Sequence, residues 1–268
     1  MSDDWFTSKL APEQENHPQE VEALKNYLYE KTTAAEAAQT ITRQVVTSAS
    51  PKNDIARLQV LLIDALVDQP GDSPSREEPL ISLLRAIEKL EEPDFEAVEP
   101  AQRPQAKLWK GFPYFANRWY DIGYRSGSWK MDAEKASGPQ RDVLRKEHVR
   151  RAEVEARLVF EGLAGIPIDW GYEVIEDSLK KDALLDFEVP AAAAWLRGCG
   201  KRFRQGAEEG EKTYALGGEA MSLERWSEWK ARLLQVLNHS RVVQFAAVMA
   251  LNAINAANGE QALGSGMM

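Results

Sequence analysis

Apolar residues in this chain recur three and four positions apart, and no stretch alternates convincingly at the period of two that a strand needs. Val21, Leu24, Tyr27 and Leu28 follow Pro18 at helical spacing, with the proline suited to a first helical turn. Thr33 and Glu36 form a capping box ahead of Ala37, Ile41 and Val45. Asn53 reads as the N-cap for Ile55, Leu58, Leu61, Leu62 and Ala65. Leu80, Leu83, Leu84, Ile87 and Leu90 make a short amphipathic helix that Pro93 stops. A longer one spans about 141–163, with Val149, Ala152, Ala156, Val159 and Leu163 on its stripe.

Further along, Asp169 caps a helix running through Leu185, with Tyr172, Ile175 and Leu179 inward. Pro190 opens a helix of small residues, Ala191 to Ala194, followed by Trp195, Gly198, Cys199 and Gly200. Ser222 and Ser240 cap the last two helices, and the final one ends at Asn258-Gly259. The pattern predicts an all-α chain of roughly ten helices in one large domain. Residues 1–17 are expected to be a loose polar tail, with Trp5-Phe6 as an anchor. Residues 18–92 hold the N-terminal helices and 105–258 the main core. Loops are expected at 69–79, 132–140 and 206–220.

A net charge of −9 argues against a general nucleic-acid binder, which needs a basic face. The single cysteine, Cys199, excludes an internal disulfide framework and suits a reducing compartment. The start, MSDDWF, is acidic where a secretory leader is basic, and no window is apolar enough for a membrane span. These features lead to the expectation of a cytoplasmic protein with no transmembrane segment. His17, His148 and His239 lie far apart and match no zinc spacing.

Trp109 to Trp129 concentrates eight aromatic side chains: Trp109, Phe112, Tyr114, Phe115, Trp119, Tyr120, Tyr124 and Trp129. Lys110, Arg118, Asp121, Arg125 and Lys130 are threaded among them. Rings interleaved with cations suit an apolar pocket with a charged mouth, and they equally suit a core segment that fills volume. Arg118 and Arg125 are two turns apart and can clamp phosphate oxygens, or pair with Asp121 in a helical ion ladder.

Two other constellations carry chemistry. Asp169, Glu173 and Asp177 lie four apart, so three carboxylates share one helical face that can hold Mg²⁺, or simply face solvent. Trp226, Trp229 and Leu233 share a face with Lys230 at its edge, a lysine that either meets a diphosphate or snorkels outward.

Three segments in order, EARLVFEGLAGIPIDWGYEVIEDSL, LDFEVPAAAAWLRGCGKRF and SLERWSEWKARL, resemble the fungal helical family named for the oxopyrrolidine biosynthesis cluster protein G. The resemblance covers about residues 105–250 and is most specific at 222–230. It implies a role in fungal secondary-metabolite biosynthesis. The same family is associated with atypical fungal humulene synthases, which resemble class I terpene cyclases in helical build and magnesium use. Those enzymes lack the usual aspartate-rich motif, as this chain does, and set a late-chain lysine against diphosphate, a role the resemblance carries onto Lys230.

The leading expectation is therefore a Mg²⁺-dependent sesquiterpene cyclase acting on a small apolar or prenyl-diphosphate substrate. Lys230, Trp226 and Asp121 would carry its chemistry. Trp119, Tyr120, Tyr124, Trp229, Arg118 and Arg125 would bind the substrate, and Asp169, Glu173 and Asp177 would hold the metal. One alternative is a cofactor-free cyclase or isomerase acting on a polyketide or peptide intermediate. A second is a non-catalytic helical adaptor whose Trp-rich face is covered by a partner or a second copy.

Overall fold

The computed structural model describes residues 1–68, 77–104, 107–124, 128–180 and 184–263. It is all-α: the described residues hold twelve α-helices and no strand, only an isolated bridge between Lys212 and Ala220. Two compact units divide the chain, one made of residues 1–122 with 162–165 and the other of 123–161 with the residues from 166 onward.

The first unit holds α1 (Asp3–Lys9), α2 (Pro18–Leu28), α3 (Ala34–Thr47), α4 (Pro51–Val67), α5 (Glu78–Glu88) and nearly all of α6 (Phe115–Gly123). The expected loose tail is corrected here, because α1 is a docked helix. Ser2 accepts the Trp5 N–H as N-cap, Asp3 and Asp4 sit in the first turn, and Phe6 is only 2% exposed. Lys9 reaches Asp64 at 2.7 Å and the Trp5 indole donates to Asp68 at 3.1 Å, so an aspartate of α4 and the one at its C-cap anchor the N-terminus.

α3 opens on the expected Thr33–Glu36 capping box and packs against α2 and α5. Asn53 is not the cap of α4: Ser50 stands there and Pro51 takes the first turn, where a missing N–H costs nothing. Of the expected 69–79 linker, residues 69–76 lie outside the described ones, and α5 begins at Glu78.

The second unit holds α7 (Ser128–Lys135), α8 (Gly138–Glu161), α9 (Asp169–Lys180), α10 (Leu185–Glu209), α11 (Leu223–Gln235) and α12 (Arg241–Asn258). α10 is its centre, packed against α8, α9 and α12. Pro190 does not start this helix but lies inside it. It lacks the N–H that would reach the Asp186 carbonyl, and burial of Leu185, Phe187 and Val189 holds the turn before it in place. The small-residue stripe permits close approach: a Cβ on Gly198 would stand 2.8 Å from the Cβ of Ala156 on α8.

Two expected loops are shorter than the sequence suggests. α7 runs into 132–140 because Ala133 is fully buried and Arg141 donates to its carbonyl. α10 continues to Glu209 and ends at left-handed Gly210. α9 ends at Lys180, short of the expected Leu185, and residues 181–183 lie outside the described ones. Ser222 and Ser240 cap α11 and α12 as expected, and Gly259 closes α12. Among the described residues no helix is long and apolar enough to cross a membrane.

Candidate functional site

α8 sets His148, Ala152 and Glu155 on one face, four and then three residues apart, and all three are buried. A core-facing stripe normally carries apolar residues, so an imidazole and a carboxylate there need partners. The first turns of α10 supply Phe187 and Glu188, the start of α7 supplies Trp129 and Lys130, and α9 supplies Asp177. Tyr124, just past α6, completes the group.

The geometry is tight. His148 is 7% exposed, with Trp129 stacked on it at 4.0 Å between ring centroids and Phe187 at 6.2 Å. Its Nε2 is buried without a hydrogen-bond partner among the described residues and stands 3.7 Å from Glu188 Oε2. The other oxygen of Glu188 is 3.6 Å from Lys130 Nζ, which also reaches Asp177 at 3.1 Å. The Tyr124 hydroxyl donates to Glu155 Oε1 at 2.8 Å.

Charge follows from this packing. Burial works against the Lys130 ammonium, but Glu188 and Asp177 outweigh it and hold the group above its ordinary pKa. Burial, then the Glu155 carboxylate, pushes Tyr124 well above the usual phenol range, so it stays protonated as a hydrogen-bond donor. The cluster contains a candidate base, a carboxylate beside it, a cation and a phenol, which are the parts of proton-transfer chemistry.

Of the residues singled out in the sequence, the structure brings Tyr124 and Asp177 into this cluster. Arg118 and Asp121 belong to the first unit, where both line a separate concavity. Trp119 is fully buried and stacks beside Phe115, whereas Tyr120, the next residue, is exposed. Arg125 lies outside the described residues.

On α11, Trp226 and Trp229 are core residues with rings 5.8 Å apart, and their indole N–H groups donate to Asn258 and Glu176. Lys230 is ion-paired with Glu260. The three carboxylates expected to share a metal have separate surroundings. Asp169 accepts from the Thr213 hydroxyl and the Tyr214 N–H, Glu173 is exposed, and Asp177 pairs with Lys130. That arrangement does not fit one Mg²⁺ shell, and among the described residues no three His, Cys, Asp or Glu side chains form a metal-holding group.

His148, Glu155 and Glu188 were not singled out as site residues in the sequence, although one signal was available. His148 and Glu155 fall on the same helical face as Ala152, so two polar groups occupy core positions. Glu188 carries no such signal, because Pro190 reads as the start of a helix two residues after it. No curated protein and no solved structure matches the chain. The family described as "Protein of unknown function (DUF3632)" has a model that matches residues 61–233, and the chain belongs to that family.

Proposed function

We propose that the second unit is an acid–base enzyme that isomerises or cyclises a small carbonyl compound without a cofactor. The observation that carries this reading is the buried His148 Nε2, without a hydrogen-bond partner among the described residues and 3.7 Å from Glu188. In the proposed step, neutral Nε2 takes a proton from carbon next to a carbonyl. The C–H electron pair moves onto the carbonyl oxygen as an enolate, and Glu188 stabilises the imidazolium. In a β,γ-unsaturated substrate the enolate extends to a dienolate, and return of that proton to the γ-carbon gives the conjugated isomer. Attack of the enolate carbon on a second carbonyl within the substrate, with the proton passing to the new alkoxide, gives the ring. Lys130 and Trp129 are the more accessible members, and they would meet the substrate first.

The test is proton exchange in deuterated water, with a β-keto amide and a β-keto thioester as probes. Wild-type protein should speed loss of the α-proton signal. His148→Gln and Glu188→Gln should each remove about 100-fold of that rate, the usual size of a general-base effect. EDTA should change nothing. Equal exchange by wild type and His148→Gln would refute the reading.

A second reading rests on the paired indoles Trp226 and Trp229 beside Lys230 on α11, and on the resemblance to the oxopyrrolidine-cluster family and its humulene synthases. It is cyclisation of a prenyl diphosphate in fungal secondary metabolism, with cation–π attraction between the indoles and a carbocation. Farnesyl and geranylgeranyl diphosphate, each incubated with and without Mg²⁺, test it directly. A hydrocarbon or alcohol product lost on Lys230→Ala would favour it over proton transfer at His148.

A further inference from the structure

A concavity of about 310 Å³ lies in the first unit and takes no part in the proton-transfer cluster. It is lined by Ile55, Leu108, Pro113 and Tyr114, with Lys52, Arg118 and Asp121 as its charged members. Its construction is unusual at one point. Gln59 is completely buried on α4, donates from Nε2 to the Pro113 carbonyl at 3.0 Å and accepts at Oε1 from Arg118 Nε at 2.8 Å. The two contacts allow only one orientation of the amide, so a buried side chain fixes the guanidinium by its inner nitrogen.

The opposite wall is pinned as well. The Glu92 carboxylate accepts the backbone N–H groups of Leu108, Trp109 and Lys110 at 2.6–3.1 Å. Three of the next four residues, Gly111, Phe112 and Tyr114, are left-handed, and two of them are residues that rarely adopt that conformation. This turn leaves the Tyr114 ring half-exposed at the rim.

We infer that this concavity is a binding site for a small monocarboxylic acid with a flat apolar body. Arg118 takes part through its two terminal nitrogens, which carry no hydrogen bond among the described residues. A guanidinium held by Nε presents those nitrogens as a fork that matches a planar carboxylate. The apolar body lies along Ile55, Leu108 and Pro113 beneath Tyr114. Lys52 adds a positive charge and Asp121 a negative one, which leaves the lining one net positive charge to match a monoanion. Burial lowers the pKa of Arg118 from its ordinary value and Asp121 opposes that shift, so the guanidinium remains charged.

The experiment uses the full chain and three probes of similar size: 4-phenylbutyrate, phenyl phosphate and 4-phenylbutanamide. Binding is followed by calorimetry and ligand-detected NMR. The carboxylate should bind best, with the amide weaker by about tenfold or more for loss of a charged hydrogen-bonded pair. Arg118→Lys, at a partly exposed position, should keep the fold and lose a similar factor, because a point charge replaces the fork. Asp121→Asn should shift preference toward phenyl phosphate, a change that a purely structural role for Asp121 would not produce. Amide binding equal to carboxylate, undiminished binding by Arg118→Lys, or no binding of any probe at millimolar concentration would each overturn the inference. A phosphate preference in wild-type protein would overturn the monoanion assignment. None of these outcomes touches the exchange reaction at His148, so the two proposals fail separately.

Discussion

Trp129 lies nearly flat on His148, with ring centroids 4.0 Å apart and ring planes 21° from parallel. The indole shields the imidazole from water on that side, and Lys130 stands over the indole in turn, 5.3 Å from its centre. Stacking of this kind keeps a polar ring in an apolar setting, where a neighbouring charge acts strongly. Trp129→Ala should uncover His148. Its modification by diethyl pyrocarbonate, read by peptide mass mapping, should then rise by about tenfold or more, while stability falls by about 1–3 kcal/mol for a half-buried ring. If His148 reacts equally in both proteins, Trp129 is not its cover.

Alkaline pH should weaken the fold through buried weak acids. Burial pushes the Cys199 thiol from 9.0 up to about 11, and the Tyr124 phenol is raised further by burial and Glu155. Both groups stay protonated in the native chain at pH values where the unfolded chain has already released its protons. Their contribution is therefore complete below the unfolded pKa and is lost as pH rises through the folded one. Between pH 9 and 11 the thiol alone should cost up to about 2 kcal/mol. Urea melts of wild type and Cys199→Ala across that window should show a shallower decline in the variant. Parallel curves would mean that the thiol is not the source.

Tyr124→Phe isolates one of the raised phenols. It removes the 2.8 Å hydrogen bond to Glu155 while keeping the ring. A bond to a charged acceptor is worth about 1.5–3 kcal/mol, and at neutral pH the variant should lose about that much. Tyrosinate absorbance adds an independent check. Burial and Glu211 also hold Tyr172 above the phenol range, so wild-type protein should hold back at least two phenols well beyond pH 10, and the variant one fewer. An unchanged count of late-titrating phenols would show that Tyr124 is not among them.

The helical architecture was legible because the apolar stripes repeat at helical spacing and three caps, Thr33, Ser222 and Ser240, stand where the stripes begin. Pro190 was misleading, since proline usually marks a first turn and only the burial of Leu185 and Phe187 shows that the helix starts earlier. α1 was hidden by its polarity: one buried side chain, Phe6, and the pairs of Lys9 with Asp64 on α4 and Asp68 at its C-cap hold it. The candidate site was legible only in fragments. Tyr124 stands out by residue type and Asp177 by its spacing from Glu173, but pairing His148 with Glu188 requires knowing that α8 packs against α10. The face shared by Asp169, Glu173 and Asp177 could be read from spacing, whereas Thr213 and Lys130, which engage two of those carboxylates, come from distant segments.

Gly171 on α9 tests how closely that helix sits in its unit. A Cβ there would stand 2.5 Å from ring carbons of both Phe203 and Trp195 on α10, closer than such atoms approach. Neither ring has room to retreat, because both side chains are fully buried. Gly171→Ala should therefore destabilise by about 1–3 kcal/mol despite the better helix propensity of alanine, as overpacking outweighs a gain of about 1 kcal/mol. Thermal melts decide it, and a rise in melting temperature would show that α9 shifts freely away from α10.

The docking of α1 gives the remaining prediction. Phe6 is fully buried, with its ring edge-on to Trp5 at 5.1 Å and to Tyr29 at 5.8 Å, and Lys25 stands over it at 5.7 Å. Lys9 and the Trp5 indole meanwhile hold Asp64 and Asp68. A loose tail would make removal of the ring nearly neutral, whereas a docked helix makes it a core truncation. Phe6→Ala should therefore cost about 3 kcal/mol, the lower end for a buried aromatic, because α1 can partly close the gap. Lys9→Ala should cost less, about 1–2 kcal/mol, as expected for loss of one charged hydrogen bond at a part-buried position. Hydrogen exchange separates the two readings at the level of the backbone. Amides of residues 6–9 should be protected in wild type and lose that protection in Phe6→Ala, and rapid exchange in wild type would show that the segment does not dock in solution.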